Sequence, residues 1–402
     1  MTFSSSLAQR GWKECLFSEF VEIAPQVKLN NGSVYSFIEM ADLSENSKYC
    51  VSKETRTFNG SGTRFEEKDT LFARITPCLE NGKICQVRGL LNNKAFGSTE
   101  FHVFRGKTGI SDTDFVFYLS RWNEVRDFAE ANLHGTSGRQ RVPKESFDNL
   151  LLNLPSLPEQ RAIAGVLSSL DDKIDLLHRQ NKTLEGIAES LWRKMFVEDA
   201  DPNWKKGKLG DYVRIQGGFA FKSRDFKETG GIGIIKITNI ADGQVDIVNT
   251  QFVDTVIVKN LDPNLKLLQG AVLIAMTGAE IGKIGIVENT EKELWLNQRV
   301  GIFNEIRRYG KLLAFFALNS DEGQEHILSS ATGSAQPNIS STKIEEFEIP
   351  ILPDLVLNEF GVIVNSLVDK ICFNLGQVRT LSNLRDTLLP KLMSGEVMLK
   401  HE

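Results

Sequence analysis

The chain repeats itself at a period of about 195 to 200 residues. Its first half ends in L-P-S-L-P-E-Q (Leu154 to Gln160), followed by a long amphipathic run from Ile163 to Met195. Its second half ends in I-P-I-L-P-D (Ile349 to Asp354), followed by a run from Phe360 to Leu392. Each half also carries an apolar strand leading into a Gly-Lys turn, Leu71 to Lys83 and Leu273 to Lys283. So long a period means duplicated domains, not a solenoid. Two copies of a globular unit plus a helix present two similar working surfaces, which fits a reader of two-part targets better than an enzyme with one pocket.

The two amphipathic runs predict long helices. In the first, apolar residues fall at Ile163, Leu167, Leu170, Ile174, Leu177, Leu184, Ala188, Leu191 and Met195. Spacing of four and three is the coiled-coil seam. Asn181 is its polar exception, and Pro158 suits a first helical turn. The second seam is Phe360, Val364, Leu367, Ile371, Val378, Leu381, Leu388 and Leu392, with Asn374 and Arg385 as exceptions and Pro390 expected to interrupt or kink the last turn. One reading has each helix merely cover its own domain. The other pairs them, since a narrow sustained seam suits a partner helix. A pseudo-two-fold duplication makes that pair antiparallel and places Asn181 opposite Asn374, a layer that fixes register. Ile174 then faces Leu381, and Arg385 lays its stem on Leu170 with its guanidinium at the rim. The rod would be roughly 57 Å long at 1.5 Å per residue.

Between the helices the pattern changes to short strands and Gly-rich turns. Strand candidates are Val34 to Met40, Thr70 to Ile75, Ile84 to Val87 and Glu100 to Phe104 in the first unit. In the second they are Gly233 to Ile237, Ala271 to Ala275, Ile284 to Val287 and Arg299 to Phe303. Helices are expected at Phe115 to Glu130 and Lys311 to Leu318. The fold class is therefore α+β: two pseudo-two-fold-related globular domains with curved sheets, separated by a long antiparallel two-helix coiled coil.

Little in the chain resembles catalytic machinery. The five histidines are scattered, and the five cysteines are odd in number and lack C-x-x-C spacing, which points to a reduced cytoplasm and no zinc site. No signal peptide and no apolar run of the ~20 residues needed to span a bilayer is evident. There is no G-x-S-x-G, Walker loop or strand-linked G-x-G-x-x-G, and no N-P-P-aromatic tetrad. What stands out is polar and basic residues in turns. Arg74, Lys83, Arg88 and Lys94 surround the first Gly-Lys turn, and Arg139, Gln140 and Arg141 lie in H-G-T-S-G-R-Q-R. In the second unit Lys236, Lys283, Gln298 and Arg299 occupy equivalent segments, and Gln336 and Asn338 lie in the amide-rich loop S-A-T-G-S-A-Q-P-N. Arg, Gln and Asn read base edges, while Lys, Ser and Thr suit phosphates. Ordinary surface turns are the better explanation of any one of them; their recurrence at matching positions in both halves brings the nucleic-acid reading about level with it. A net charge of -5 argues against a stand-alone nucleic-acid binder. A protein-only adaptor, or a methyltransferase or nuclease with a cryptic site, stays open.

Several segments resemble the specificity subunits of type I restriction-modification systems. They are F-G-S-T-E-F (Phe96 to Phe101, including Ser98 and Thr99), L-P-S-L-P-E-Q-R-A-I-A (Leu154 to Ala164), L-D-D-K-I-D-L-L (Leu170 to Leu177) and L-L-P-K-L-M-S-G-E-V (Leu388 to Val397). The second half departs from the pattern: Asp354, Leu355 and Val356 replace Glu159, Gln160 and Arg161, and Leu296 to Val300 replaces the S-T-E-F segment. The resemblance implies recognition domains at 1–154 and 199–349 and conserved helices at 155–198 and 350–402. It implies double-stranded DNA as ligand, each domain reading half of a bipartite target while the helices set the spacer. It also implies two modification (methyltransferase) subunits and motor-nuclease (restriction) subunits as partners. S-adenosylmethionine, ATP and Mg would be bound by those partners, with no cofactor and no catalytic residue in this chain.

Overall fold

The computed structural model describes residues 11–136, 138–333 and 336–399. The chain divides into two compact units. Unit 1 comprises Met1–Leu176 with Thr380–Glu402, and unit 2 comprises Leu177–Arg379. Both boundaries fall inside long helices, Leu157–Arg193 and Asp354–Met393, so each unit contains a segment of each helix.

Unit 1 carries a five-stranded sheet in the order Val21–Ile23, Phe101–Gly106, Thr70–Ala73, Ile84–Arg88, Tyr49–Val51. A second, four-stranded sheet runs Glu54–Thr57, Val34–Ile38, Lys94–Gly97, Thr63–Glu66. Unit 2 repeats the scheme. Its larger sheet runs Val213–Gly217, Val300–Glu305, Val272–Ala275, Ile284–Ile286, Gly243–Val245, Ile240–Ala241, and its smaller one Gln251–Val253, Ile232–Ile235, Leu294–Leu296. The smaller sheets share a parallel pair, Val34–Ile38 with Lys94–Gly97 and Ile232–Ile235 with Leu294–Leu296. In each unit a two-stranded ribbon closes the domain just before a long helix: Lys13–Leu16 with Leu151–Leu154, and Lys205–Lys208 with Glu348–Ile351.

The expected single helix at Phe115 to Glu130 is two helices, Thr113–Arg121 and Asn123–Ala131, because Trp122 is extended (φ −67°, ψ 139°). Unit 2 has the same break at Ser320, between Gly310–Asn319 and Asp321–Ser330. There the Ser320 hydroxyl accepts the Gly323 N–H at 3.1 Å, an N-cap that starts the next helix. The cores differ in material. In unit 1, Phe104 lies 5.2–5.3 Å, ring centre to ring centre, from Phe17, Phe72 and Phe147. In unit 2, Ile232, Ile234, Ile235, Val253, Leu273, Leu294 and Leu296 pack together. Edge-to-face ring pairs in unit 1 give orientation as well as burial.

The starts of the two long helices are fixed by different side chains. In unit 1, buried Gln160 accepts the Asp112 N–H at 2.9 Å and donates to the carbonyls of Pro155 and Ile110, while Trp12 Nε1 donates to Glu159 at 3.0 Å. In unit 2, the Tyr212 hydroxyl donates to Pro350 O at 2.7 Å and accepts the Leu352 N–H at 2.6 Å, and Arg307 donates to Leu352 O and to Asp354.

Within unit 1 the helical segments pack antiparallel: Ile163, Ala164 and Leu167 share a core with Leu392 and Met393, and Asp171 meets Arg385. The second helix runs through Pro390 to Met393. Arg385 does not snorkel over Leu170 as expected. It is buried, its Nη1 donates to buried Asp171 at 2.7 Å, and its Nε donates to Asp386 at 2.8 Å. Asp171 also accepts the Tyr118 hydroxyl at 2.7 Å. The seam takes in Asp171 ahead of half-buried Leu170, and a buried carboxylate needs a cationic partner. Burial works against the Arg385 charge, but its bonds to Asp386 and Asp171 outweigh it and raise its pKa.

Within unit 2 the segments also run antiparallel. Asn374 Nδ2 donates to Asn181 Oδ1 at 2.7 Å and to Gln180 at 3.0 Å, and further along Phe196 packs edge-on to Phe360 at 4.9 Å. Asn181 Nδ2 and Asn374 Oδ1 are buried and find no hydrogen-bond partner among the described residues.

Candidate nucleic-acid interface

Three loops meet at one end of the larger sheet in each unit, and the same main-chain bonds staple them. In unit 1 the Arg74 N–H donates to Glu100 O at 3.0 Å, and the Val142 N–H donates to Arg74 O at 2.9 Å. In unit 2 Met276 takes the place of Arg74: its N–H donates to Arg299 O at 3.0 Å, and the Ile339 N–H donates to Met276 O at 3.0 Å. The third loop is closed by paired bonds, His134 with Arg141 in unit 1 and Thr332 with Asn338 in unit 2. One further bond joins the first and third loops, Thr76 N–H to Gln140 O and Gly278 N–H to Pro337 O. Glu100 thus corresponds to Arg299, and Arg141 to Asn338.

This frame gathers Arg74, Ser98, Thr99, Arg139, Gln140 and Arg141 in unit 1. Thr99 and Arg139 are exposed, Ser98 Oγ accepts the Glu100 N–H at 3.2 Å, and Thr76 Oγ1 accepts the Gln140 N–H at 3.0 Å. Arg141 makes a bidentate pair with Glu100 at 2.6–3.1 Å. That bond pulls the Glu100 carboxyl below its ordinary range. Glu100 stands in the F-G-S-T-E-F segment but escaped the sequence reading, because a carboxylate is not a base- or phosphate-reading group one looks for first.

In unit 2 the frame gathers Gln298, Arg299, Gln336 and Asn338, all exposed. Arg299 has no carboxylate partner among the described residues, and its N–H reaches Asn297 Oδ1 at 3.5 Å. Exposed Phe219 adjoins them, its carbonyl accepting the Gln298 N–H at 2.9 Å.

Five expected residues have side chains engaged elsewhere. Lys83 donates to Met40 O at 3.2 Å, and Arg88 lies over the Tyr49 ring and 3.5 Å from Asp175. Lys94 reaches Lys28 O at 3.4 Å and Glu66 at 3.9 Å. Lys236 lies 3.7 Å from the centre of the Phe226 ring and donates to Gln251, and Lys283 pairs with Glu280.

The clusters offer what base and phosphate recognition needs, namely exposed Arg, Gln, Asn and Thr on turns held by main-chain hydrogen bonds. Among the described residues no group of His, Cys, Asp and Glu could hold a metal ion, and no helix is long and apolar enough to cross a membrane.

Comparison with known proteins agrees with this duplication. The family model described as type I restriction modification DNA specificity domain matches twice, at residues 10–186 and 202–359. The type I restriction enzyme MjaVIII specificity subunit of Methanocaldococcus jannaschii is 28% identical over 286 residues, covering 63% of this chain and 66% of that protein. The MjaIX specificity subunit of the same organism is 24% identical over 311 residues, covering 72% and 70%. The crystal structure of a type I restriction-modification S subunit from M. genitalium superimposes with a TM-score of 0.59 at 17% identity over 97% of both chains, a likeness of fold.

Proposed function

Because the chain belongs to the family of the type I restriction modification DNA specificity domain, we propose that it is the specificity subunit of such a complex and reads a bipartite DNA target. Each loop cluster reads one half of the sequence. The long helices carry two modification subunits and set the nonspecific spacer. Catalysis lies in the partners: S-adenosylmethionine-dependent adenine methylation in the modification subunits, and ATP- and Mg-dependent translocation and cleavage in restriction subunits, all in the cytoplasm.

The observation that carries this reading is the repeated loop frame, with its main chain kept and its side chains changed from Glu100 and Arg141 to Arg299 and Asn338. A reader of two different half-sites needs that combination. In this frame unit 1 exposes Arg139 and unit 2 exposes Gln298, Arg299, Gln336 and Asn338, groups that suit base edges better than they suit a protein-only adaptor. The net charge of -5 fits a chain that gains part of its phosphate neutralisation from partners.

The test is to profile genomic adenine methylation in a host carrying the modification subunits, with and without this chain. A bipartite motif should appear only with it. Exchanging residues 205–348 for the domain of a relative should change one half of that motif. A motif unchanged by the exchange, or altered in both halves, would contradict the assignment.

A further inference from the structure

Unit 1 has a polar concavity of about 380 Å³ beside its loop cluster, lined by Gln26, Arg64, Arg74, Thr99, His102 and Lys144 among others. Other arginines of unit 1 are matched with carboxylates: Arg56 with Glu39 and Glu54, Arg105 with Asp69 and Glu66, and Arg141 with Glu100. Of the three cations of the concavity, Arg64 and Arg74 have no ion pair with a carboxylate among the described residues, and Lys144 has only a long, exposed one. Among the described residues Arg64 has only Gly60 O at 3.5 Å and the Phe58 ring at 5.0 Å. Arg74 Nε is buried with no hydrogen-bond partner among the described residues, and the nearby Glu100 carboxylate is taken by Arg141. Lys144 has Glu145 at 3.9 Å, both exposed. Three cations and an orphaned buried N–H facing one concavity call for an anion.

Among the described residues, unit 2 differs at the positions that match Arg74 and His102. Met276 stands where Arg74 does and Gly301 where His102 does, by the same main-chain bonds and strand register. Met276 is buried, and a Cβ on Gly301 would meet its Sδ at 3.2 Å, so apolar atoms fill that region.

We infer that this concavity is an oxyanion seat that takes a phosphodiester of bound DNA through Arg64, Arg74 and Lys144, in unit 1 alone. The inference rests on the DNA-reading function proposed above. A phosphate held there positions the duplex on the unit 1 cluster without reading sequence.

The experiment measures affinity against salt for the complex of this chain with its modification subunits, on a duplex bearing the methylated motif and on a random duplex. Arg64→Gln, Arg74→Gln and Lys144→Gln, singly and together, should lower the log–log salt slope by about 0.9 for each phosphate no longer neutralised. The loss should be equal on both duplexes, with the methylated motif unchanged. Arg64→Lys and Lys144→Arg should keep most of the slope. A wild-type slope in the triple variant would overturn the inference, as would a loss confined to the motif duplex. Failure of the broader function would look different: the wild-type complex would bind both duplexes equally.

Discussion

Where unit 1 pairs opposite charges, unit 2 places amides, an apolar residue or, among the described residues, a single unpaired charge. The Asp69–Arg105 pair of unit 1, at 2.6 Å, becomes Ala271 and an Asn304 that donates to Gln216 at 3.1 Å. The Glu100–Arg141 pair becomes Arg299 and Asn338. Between the long helices, unit 1 buries Asp171 against Arg385, and unit 2 buries Asn181 against Asn374. The strand register and loop bonds are common to both. One main-chain frame thus tolerates either chemistry, but the two units answer differently to removal of a partner and to acid.

The largest difference should come from the helix layers. Arg385→Met leaves the Asp171 carboxylate buried with only the Tyr118 hydroxyl, so it should cost about 3–5 kcal/mol, read from urea unfolding. Adding Asp171→Leu should recover most of that loss. Equal stability of the single and double variants would show that the pair is not coupled.

Acid should separate the units next. His102 is buried and its pKa is pushed down from 6.5 to about 4, first by desolvation and then by Arg74 and Lys144, against the Val142 carbonyl bond and Glu145. The folded state prefers neutral imidazole, so the unfolded chain binds more protons between these values. The contribution is therefore complete above pH 6.5 and lost as pH falls through about 4. It amounts to about 3 kcal/mol at 1.36 kcal/mol per pH unit. His102→Gln should flatten that part of the stability–pH curve. Gly301, its counterpart, contributes nothing of the kind. An unchanged curve in the variant would place the acid sensitivity elsewhere.

At the loops the contrast concerns recognition. Arg299→Ala should weaken binding of the assembled complex to its motif by about 1–3 kcal/mol and relax one half-site. Glu100→Gln should have a smaller effect of opposite sign, raising affinity for random DNA by releasing Arg141. Competition binding with motif and random duplexes measures both, and equal losses on the two duplexes for Arg299→Ala would mark it as a phosphate ligand.

The smallest effect should be a gain. Asn181→Leu with Asn374→Leu removes two amides, each with one buried atom unpaired. Thermal unfolding should show about 1 kcal/mol more stability, with loosened helix register. A loss of stability would mean that the amides are better satisfied than their single shared bond implies.

The duplication, the helices and the Asn181–Asn374 layer were legible because apolar spacing and polar exceptions survive in one dimension. Asp171 was not, because it adjoins Leu170 and heptad spacing alone cannot tell which of two neighbours turns inward. Arg385 could be placed in the seam, but its bond to Asp171 needed the partner. Trp122 hid a helix break, since its extended backbone has no proline or glycine to announce it. At the loops, residue type and position named Arg74, Arg139, Gln298 and Arg299, and the F-G-S-T-E-F resemblance named Thr99; the fold gathers them in the two frames. Lys83, Arg88, Lys94, Lys236 and Lys283 were named on the same grounds, but their side chains are committed to carbonyls, carboxylates, an amide or rings. Sequence carries which groups are present; only the fold says which are already occupied.

The staples of the loop clusters are peptide groups, and that has an evolutionary consequence. Most side chains at 98–99, 139–140, 298–299 and 336 could be exchanged without removing the bonds that shape the turns. New specificities would then arise at low risk of misfolding, each half of the target drifting on its own. A library randomised at those positions should yield mostly folded protein with many different binding preferences, a mutational reservoir built from an invariant backbone.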